Sequence, residues 1–377
     1  MPTAFLREAS LRRGLADSTD RLYLRPLGLS EGEAAEAAIA AGLAVRLAGA
    51  RRAFCLADLY LRKADGRIVA VAATPAQLRD WAEAEGLSEK IESRLARLSM
   101  PRPDFAGLTM DRPQIMGVVN VTPDSFSDGG DFLDFETAIR QAKALADAGA
   151  AILDIGGEST RPGSAEVPAA EELSRVVPVI RALAGTAAAI SIDSRRAPVM
   201  AAALEAGAAI VNDVTALTGD TGSLDLAAAR QAPVILMHMR GTPQTMQHDP
   251  DYRFAPLDIY DYLEARVEAC RAAGLPLSHI AIDPGIGFGK NVQHNLELLS
   301  HLALFHGFGC PILLGVSRKG FIGKLSRGEA PKRRVPGSLA AALEGARQGV
   351  QMIRVHDVDE TRQALAVAQG IAMPRPA

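Results

Sequence analysis

Residues 115–130 read Ile-Met-Gly-Val-Val-Asn-Val-Thr-Pro-Asp-Ser-Phe-Ser-Asp-Gly-Gly, an apolar run that ends abruptly in a polar loop. The run from Ile115 to Val119 is rich in β-branched residues and indicates a strand that is buried on both faces. Asn120 ends this run, and the Thr-Pro-Asp-Ser cluster and the glycine pair after it are typical of a loop. Apolar residues at helical spacing follow directly. The stretch therefore predicts the first half of a βα unit, with polar side chains at the carboxyl end of its strand.

The same unit of short apolar strand, polar turn and helix repeats from about residue 112 onward. Eight strands are predicted: Ile115–Asn120, Ala151–Ile155, Ala188–Asp193, Ala209–Asn212, Val234–His238, Ile280–Asp283, Ile312–Val316 and Gln351–Val355. Segments with i, i+3, i+4 apolar spacing lie between them, for example Pro198–Ala206, Tyr260–Ala273 and Gly337–Gln348. The number of repeats predicts an α/β fold, the (β/α)₈ TIM barrel. A doubly wound open sheet is the alternative, but it usually carries a glycine-rich dinucleotide turn after its first strand, which is absent from this sequence.

Residues 1–103 differ from this pattern. They contain 16 Lys and Arg against 13 Asp and Glu, whereas residues 104–377 contain 25 against 31, so the two parts have opposite net charge. Strands are predicted at Arg21–Arg25, Ala53–Arg62 and Ile68–Ala72, with a hairpin turn at 63–66 and one helix from Thr74-Pro75 through Leu98. We therefore predict a small α+β domain over 1–103, a linker at 99–103 and the barrel over 104–377. Packing, oligomer contact or partner binding are the expected roles of the first domain.

Composition narrows the class of function. The net charge of −3 argues against nucleic acid or an acidic membrane as a partner. The sequence contains no apolar run of the roughly 18–20 residues that span a bilayer, and its first residues lack the apolar core of a signal peptide. We expect a cytoplasmic protein with structural cysteines, because Cys55, Cys270 and Cys310 form no CxxC motif.

Polar residues end nearly every predicted strand, at the rim where a TIM barrel assembles its active site. They are Asn120, Asp154 with Glu158, Thr160 and Arg161, Asp193, Asn212 with Asp213, His238 with Arg240, Asp283, Ser317 with Arg318 and Lys319, and Arg354 with His356. Any one of them can be a helix cap or a turn residue. Because all of them meet at one rim, we predict that they form the active site.

The inventory also excludes some chemistries. There is no GxSxG elbow and no cluster with zinc spacing, so hydrolysis by a serine nucleophile or by zinc is not expected. The stretch Gly285-Ile-Gly-Phe-Gly-Lys290 fits neither the GxGxxG nor the P-loop pattern. We interpret it as a tight glycine turn beneath a bound ring.

The remaining groups suggest a ligand. Asp193 and Asp283 are expected on one part of the mouth, where carboxylates accept hydrogen bonds from a donor-rich heterocycle. Arg161, Lys319 and Arg354 are expected on another part, where a guanidinium fork matches phosphate or carboxylate. The predicted ligand has a donor-rich ring at one end and an anion at the other.

Eight blocks together resemble the dihydropteroate synthase family, in the order that the family has them. They are NVTPDSFSDGG (120–130), DIGGESTRPGS (154–164), SIDS (191–194), VND (211–213), LMHMRGTPQTMQ (236–247), DPGIGFGK (283–290), GVSRKGFIG (315–323) and IRVHDV (353–358). The resemblance runs from about residue 104 to the C-terminus. It implies a transferase of folate biosynthesis that joins 6-hydroxymethyl-7,8-dihydropterin diphosphate to p-aminobenzoate, uses Mg²⁺ and is a target of sulfonamides. It further implies a homodimer, and an SN1-like displacement fits the stabilisation of a pterin cation and of departing diphosphate.

The resemblance also assigns residues. It implies that Asp193, Asn212, Asp283 and Lys319 bind the pterin with Met237 against the ring, that Arg354 and His356 clamp the diphosphate, that Asn120 is the Mg²⁺ ligand, and that Thr160, Arg161, Pro162, Phe126 and Phe288 line the p-aminobenzoate pocket. Ser317 is placed with the substrate-binding residues. Asp193, Lys319, Arg354 and His356 are the expected catalytic group, and the loops 121–130 and 157–168 are expected to act as lids.

The chain departs from the family pattern at Gly320, where some members have Ser or a charged residue, so backbone N–H groups are left to contact the p-aminobenzoate carboxylate. Residues 1–103 have no counterpart in the minimal enzyme. Two alternatives remain open, a pterin-binding methyltransferase of the methyltetrahydrofolate type and a non-catalytic pterin-binding paralogue. The first gives no reason for Arg354 and His356, and the second predicts the loss of clamp residues that are present.

Overall fold

The computed structural model describes residues 5–121, 131–159, 164, 166–242, 244–246 and 248–373, and the side chains of all of these except 131–134. Within them, eight parallel strands form a nearly closed barrel, in the order β11-β10-β9-β8-β7-β6-β13-β12. The strands are β6 Gln114–Asn120, β7 Ile152–Gly156, β8 Ala189–Asp193, β9 Ile210–Asp213, β10 Val234–Met237, β11 Ile280–Asp283, β12 Leu313–Gly315 and β13 Met352–Val355. A single parallel bridge between Ile282 and Ile312 joins the two ends of the sheet. The predicted TIM barrel is confirmed, and the open doubly wound sheet is wrong.

Helices follow the strands and cover the outside of the barrel. They are α4 Asp131–Asp147, α5 Ala169–Leu183, α6 Ala197–Ala206, α7 Ser223–Arg230, α8 Ala255–Ala272, α9 Val292–Ser300, α10 Gly320–Leu325, α11 Val335–Arg347 and α12 Val358–Ala372. Short 3₁₀ helices occupy Leu277–His279, Leu302–Phe308 and Pro331–Arg333. Because helices cover the outer face and side chains fill the interior, most strand residues are buried, which is why the strands appear in the sequence as continuous apolar runs.

The described part of the first hundred residues, 5–100, forms a mixed sheet with three helices. The strands are β1 Phe5–Glu8, β2 Arg21–Glu31, β3 Val45–Arg46, β4 Arg52–Arg62 and β5 Ile68–Ala73, and the helices are α1 Gly32–Ala40, α2 Pro75–Glu85 and α3 Ser88–Ser99. The hairpin turn at 63–66 is confirmed by the hydrogen bond from Gly66 N–H to Lys63 O. The single helix predicted through Leu98 is wrong, because Gly86 adopts φ +70 and ends α2 before α3 begins.

This sheet packs against α8 of the barrel through tyrosines and ion pairs. Tyr23 donates to Asp261 at 2.7 Å, and its ring meets the Tyr260 ring edge-on at 5.4 Å. Arg62 donates to both Asp258 and Asp261 at 2.6 Å. Tyr23 belongs to the same buried cluster as the barrel core. The division at 103/104 stays a prediction, since these contacts tie the two parts together.

The predicted linker has no helix or strand, but it is anchored. Arg102 is buried and donates to the backbone oxygens of Arg97, Met100 and His306 at 3.1, 2.9 and 3.0 Å. His306 in turn lies 2.8 Å from Gln348 O through its Nε2. The linker arginine therefore connects the end of α3 to the 3₁₀ helix 302–308 and to α11.

Candidate active site

The barrel interior changes from apolar to polar in one step along the strands. An apolar layer contains Met116, Ile152, Ile210, Ile235, Ala281, Leu313 and Met352, and Phe105 and Met110 cover it from below. Two residues further along the same strands stand Val118, Asp154, Asn212, Met237, Asp283, Gly315 and Arg354. Because successive side chains of a strand point to opposite faces, residues two apart face the same interior. A polar layer therefore lies directly above the sealed apolar layer.

Arg354 is the centre of the polar layer. Its Nε donates to Asp154 at 2.6 Å and its Nη2 donates to Asp193 at 2.7 Å. Asn212 donates to the same Asp154 oxygen at 3.1 Å. The other oxygen of Asp154 and the hydroxyl of Ser191, its register partner on β8, are buried and have no hydrogen-bond partner among the described residues. The barrel interior therefore contains two buried polar atoms whose hydrogen bonds no described residue satisfies.

The arrangement of charge differs from the one predicted. Carboxylates and cations were expected on separate parts of the mouth, whereas Arg354 contacts Asp193 directly. The reason is the strand order, in which β13 lies beside β6, and β7 and β8 follow β6. The Arg354 side chain on β13 therefore reaches past β6 toward β7 and β8.

Burial perturbs the charges of this cluster. It raises the pKa of Asp193 to about 7, with Arg354 opposing the rise and the charge of Asp154 adding to it. For Arg354, burial acts to lower the pKa, but the attraction of Asp154 and Asp193 exceeds it and the net pKa is raised. The pKa of Asp193 is therefore shifted toward neutral pH, while Arg354 remains a cation.

Asp283, Lys319 and Phe288 form the other side of the site. Asp283 accepts from Gly285 N–H at 2.7 Å, and burial raises its pKa. Lys319 lies with its Nζ 4.1 Å from the centroid of the Phe288 ring. Burial lowers the pKa of Lys319 to about 8. This ammonium is therefore held over an aromatic face and is close to its point of deprotonation.

The stretch 285–290 is a tight glycine turn, as predicted. Gly285, Gly287 and Gly289 have φ of +69, +86 and +63, values that favour glycine. A Cβ at Gly285 would overlap His238 O, and one at Gly289 would lie 2.6 Å from Arg240 O. The turn is therefore pressed against the segment that follows β10.

Lys290 ends this turn and was not selected from the sequence. It is 2 % exposed, and its Nζ donates to His238 Nδ1 at 2.9 Å, to His238 O at 3.3 Å and to Phe288 O at 2.8 Å. His238, which was noted only as a strand end, is thus a buried acceptor. The signal available in the sequence was a lysine following a glycine motif that binds no nucleotide.

Ser317 and His356 lie together at the ends of β12 and β13. His356 N–H donates to Ser317 Oγ at 3.1 Å, and the same oxygen is 3.0 Å from His356 Nδ1. The neighbouring Arg318 pairs with Asp357 and has φ +58, unusual for a residue other than glycine. These contacts fix the orientation of the loop that carries Lys319.

Two strand-end residues have structural roles in this rim. Asp213 accepts from the N–H groups of Thr215 at 2.7 Å and Leu217 at 2.9 Å, so it caps its own turn. Glu158 accepts from Arg196 at 2.8 Å and from Val167 N–H at 3.2 Å, which ties the start of the segment 157–168 to its end.

Several predicted residues cannot be placed in this geometry. Phe126, Thr160, Arg161 and Pro162 lie outside the described residues, as do most of the predicted lid 121–130 and part of the lid 157–168. Met237 is buried at the end of β10, where it pairs in register with Asp283. At Gly320 a Cβ would meet nothing within 4 Å, so the space in front of it is open.

Asn120 is the candidate metal ligand. It is half-buried at the end of β6, beside β13, which leads into His356. Among the described residues there is no group of three His, Cys, Asp or Glu side chains that could hold a metal by themselves. One amide oxygen fits a Mg²⁺ that is carried by substrate phosphates, since Mg²⁺ usually has few protein ligands and keeps several waters.

Comparisons with known proteins agree with this geometry. A family model described as pterin binding enzyme matches residues 116–356. The dihydropteroate synthase of Escherichia coli K12 is 45% identical over 263 residues, which cover 70% of this chain and 93% of that protein. The Yersinia pestis dihydropteroate synthase, solved with a sulfonamide drug complex, has a TM-score of 0.67 at 47% identity and covers 70% of this chain and 96% of its own. The Xanthomonas albilineans enzyme, solved with 7,8-dihydropteroate, has a TM-score of 0.66 at 45% identity and covers 73% of this chain and 100% of its own.

Proposed function

The chain belongs to the pterin binding enzyme family, and from this premise we propose that its barrel has dihydropteroate synthase activity. The reaction joins 6-hydroxymethyl-7,8-dihydropterin diphosphate to p-aminobenzoate and releases diphosphate. The observation that carries the proposal is the polar layer around Arg354, in a fold whose Xanthomonas relative holds 7,8-dihydropteroate.

The polar layer suits a dihydropterin ring. Asp193, Asp283 and Asn212 offer buried acceptors and a donor above the apolar layer, and Met237 offers an apolar surface at the end of β10. The unpartnered oxygen of Asp154 adds a further acceptor. Ring N–H groups would relieve the cost of these buried acceptors, since a buried polar group without a partner costs about 1–3 kcal/mol.

We propose a dissociative displacement. The bond between the exocyclic carbon and the diphosphate oxygen breaks, and its electron pair leaves with the diphosphate. Asp193, once ionised, balances the positive charge that spreads over the ring, while Arg354 and His356 would hold the leaving anion, as the family resemblance implies. The amine of p-aminobenzoate then bonds to the carbon and loses a proton. No strong base is needed for this attack, because the carbon is already cationic.

The p-aminobenzoate half is assigned to Phe288 together with Thr160, Arg161, Pro162 and Phe126, while Lys319 stays with the pterin-binding residues. The aromatic face under the Lys319 ammonium supports this assignment. Because the Yersinia relative was solved with a sulfonamide drug, we expect sulfonamides to compete with p-aminobenzoate here.

Mg²⁺ would be held by Asn120 together with the diphosphate oxygens. When bound it would neutralise charge on the departing diphosphate.

We also propose a homodimer and a cytoplasmic location. Val367 and Ile371 on α12 are 58% and 77% exposed, which supports an interface formed by barrel helices. The three free cysteines support a reducing compartment. In the described part of the chain, we find no helix long and apolar enough to cross a membrane.

Incubation with the pterin diphosphate, labelled p-aminobenzoate and Mg²⁺ tests the function. Labelled dihydropteroate and diphosphate should form in equal amounts, and Lys319→Met should reduce both. Diphosphate without labelled product, or neither product from the wild type, would contradict the proposal and favour a pterin-binding methyltransferase or a non-catalytic paralogue. Ultracentrifugation of the wild type and of Ile371→Glu tests the dimer.

A further inference from the structure

Lys290 is a buried lysine whose ammonium is fully engaged. Its three protons match three acceptors, which are His238 Nδ1 at 2.9 Å, His238 O at 3.3 Å and Phe288 O at 2.8 Å. When Lys290 is charged, Nδ1 must accept, and His238 then carries its proton on Nε2. The lysine therefore binds the end of β10 to the middle of the glycine turn at two separate points.

Burying the Lys290 ammonium costs desolvation free energy, and packing alone does not explain why a lysine occupies this position. It is 2 % exposed, and no carboxylate of the described residues lies within ion-pair distance of it. Burial lowers its pKa well below the usual value, with the attraction of Asp283 opposing and Lys319 adding to the decrease. A methionine would fill the same space without that cost. The ammonium is therefore present for its hydrogen bonds.

Those hydrogen bonds hold the glycine turn 285–290, whose backbone has little room to move at its other positions. Gly285 is pressed against His238 O, and a Cβ at Gly287 would lie 3.1 Å from the Lys319 side chain. Phe288 stands between these glycines and Lys290, with its carbonyl on the Lys290 ammonium and its ring beneath the Lys319 ammonium. A shift of the Phe288 backbone would therefore move the ring that lies beneath the Lys319 ammonium.

The pterin half of the site has its own anchors. Asp283 accepts from Gly285 N–H at 2.7 Å, and Gly287 N–H donates to Asn295 at 2.7 Å. Asp193 is held by Arg354 at 2.7 Å. Lys290 takes part in none of these hydrogen bonds and acts on Asp283 only through its charge.

We infer that Lys290 is a positioning residue for p-aminobenzoate, acting through the carbonyl of Phe288. The inference rests on the proposed function, because it assigns Phe288 to the p-aminobenzoate pocket. It predicts that loss of the ammonium raises the KM for p-aminobenzoate and leaves the KM for the pterin diphosphate nearly unchanged.

Lys290→Met is the test, because it keeps the length of the side chain and removes the three donors. We expect the KM for p-aminobenzoate to rise about tenfold, as the loss of a charge-assisted hydrogen bond predicts. The KM for the pterin diphosphate should stay within about twofold of the wild type. Lys324→Met, the same change at an exposed position of α10, is the matched control and should change neither value.

Substitutions of His238 give an independent measurement. His238→Asn places an amide oxygen near the position of Nδ1 and should retain most of the affinity for p-aminobenzoate. His238→Leu removes the acceptor and should reproduce the effect of Lys290→Met. The double variant that combines His238→Leu with Lys290→Met should have a KM for p-aminobenzoate no higher than that of the more impaired single variant, because both changes break the same contact.

The outcomes are separable. A wild type that makes no dihydropteroate refutes the proposed function. An active wild type in which Lys290→Met raises both KM values equally, or neither, refutes the positioning role. If Lys290→Met does not fold by circular dichroism, the His238→Asn and His238→Leu pair decides, and equal KM values for p-aminobenzoate in those two variants would overturn the inference.

Discussion

Asp154→Asn tests whether the two carboxylates around Arg354 set the pH dependence of the dihydropteroate synthase reaction. Burial raises the pKa of Asp193 to about 7, and the charge of Asp154 contributes to that rise. With a raised pKa, Asp193 is protonated below about pH 7 and ionised above it. Since the proposed chemistry uses the carboxylate, activity should fall as the pH drops through this value.

The size of the effect follows from the shared guanidinium. Unit charges about 4 Å apart interact by about 4 kcal/mol at an effective dielectric constant of about 20, and by less at longer range. Both carboxylates bond to Arg354, at 2.6 and 2.7 Å, so they lie close to one another. Arg354 neutralises much of the Asp154 charge, which leaves a net repulsion of about 1.4 kcal/mol, so removing that charge should lower the pKa of Asp193 by about one unit. The freed attraction of Arg354 for Asp193 acts in the same direction.

The assay is kcat/KM for the pterin diphosphate against pH, followed by diphosphate release. In Asp154→Asn the acid limb should move from about pH 7 toward about pH 6. Above that limb kcat/KM should be lower by roughly tenfold to a hundredfold, because Arg354 and Asn212 lose a charged anchor worth about 1.5–3 kcal/mol. Glu205→Gln, an exposed carboxylate paired with Arg230, is the control and should leave the profile unchanged. An acid limb that stays in place or moves upward would show that the reasoning is wrong.

Three further predictions follow from the described contacts. Burial lowers the pKa of Lys319 to about 8, so its cation is lost as the pH rises through that value; a basic limb near pH 8 is expected in the rate profile, and Lys319→Arg should move it upward, whereas an unmoved limb would assign it to another group. Arg62→Ala should lower the free energy of unfolding by about 2 kcal/mol, because Asp258 and Asp261 lose a half-buried partner; the KM values should not change, and a stability equal to that of the wild type in urea would contradict the importance of this contact. Burial lowers the pKa of His306 to about 3, so the folded state keeps it neutral while the unfolded chain protonates below about pH 6.5; stability should therefore fall between about pH 6.5 and 3, by up to about 1.4 kcal/mol per pH unit from this residue, and His306→Gln should flatten that slope.

The sequence was sufficient for the barrel because its signals are local. Each strand is a short apolar run closed by turn residues, and the predicted and observed strands differ by at most one residue at either end. The glycine turn was recognised for the same reason, since alternating glycines require positive φ. The break at Gly86 was missed, although Gly followed by Ser two positions later is itself a local signal for one helix ending and another starting.

The pairing of side chains was not predictable in the same way. Arg354 and Asp154 are 200 positions apart, and only closure of the barrel brings β13 within reach of β7. Lys290 and His238 are separated by 52 positions and belong to different βα units. The contacts of Asp258 and Asp261 were not predictable either, because nothing near them in sequence indicates that an N-terminal sheet covers them.

The tyrosine and arginine contacts between the N-terminal sheet and α8 have a practical consequence for the design of shorter recombinant fragments. A fragment cut at the family boundary would uncover the rings of Tyr260, Phe305 and Phe308, which stack on one another beneath Tyr23 and Arg94. Three aromatic rings and a row of unneutralised acids would then face water, a surface that invites precipitation during purification. Any recombinant fragment starting near residue 104 should therefore need redesign of that helix before its catalytic properties can be compared with those of the full chain.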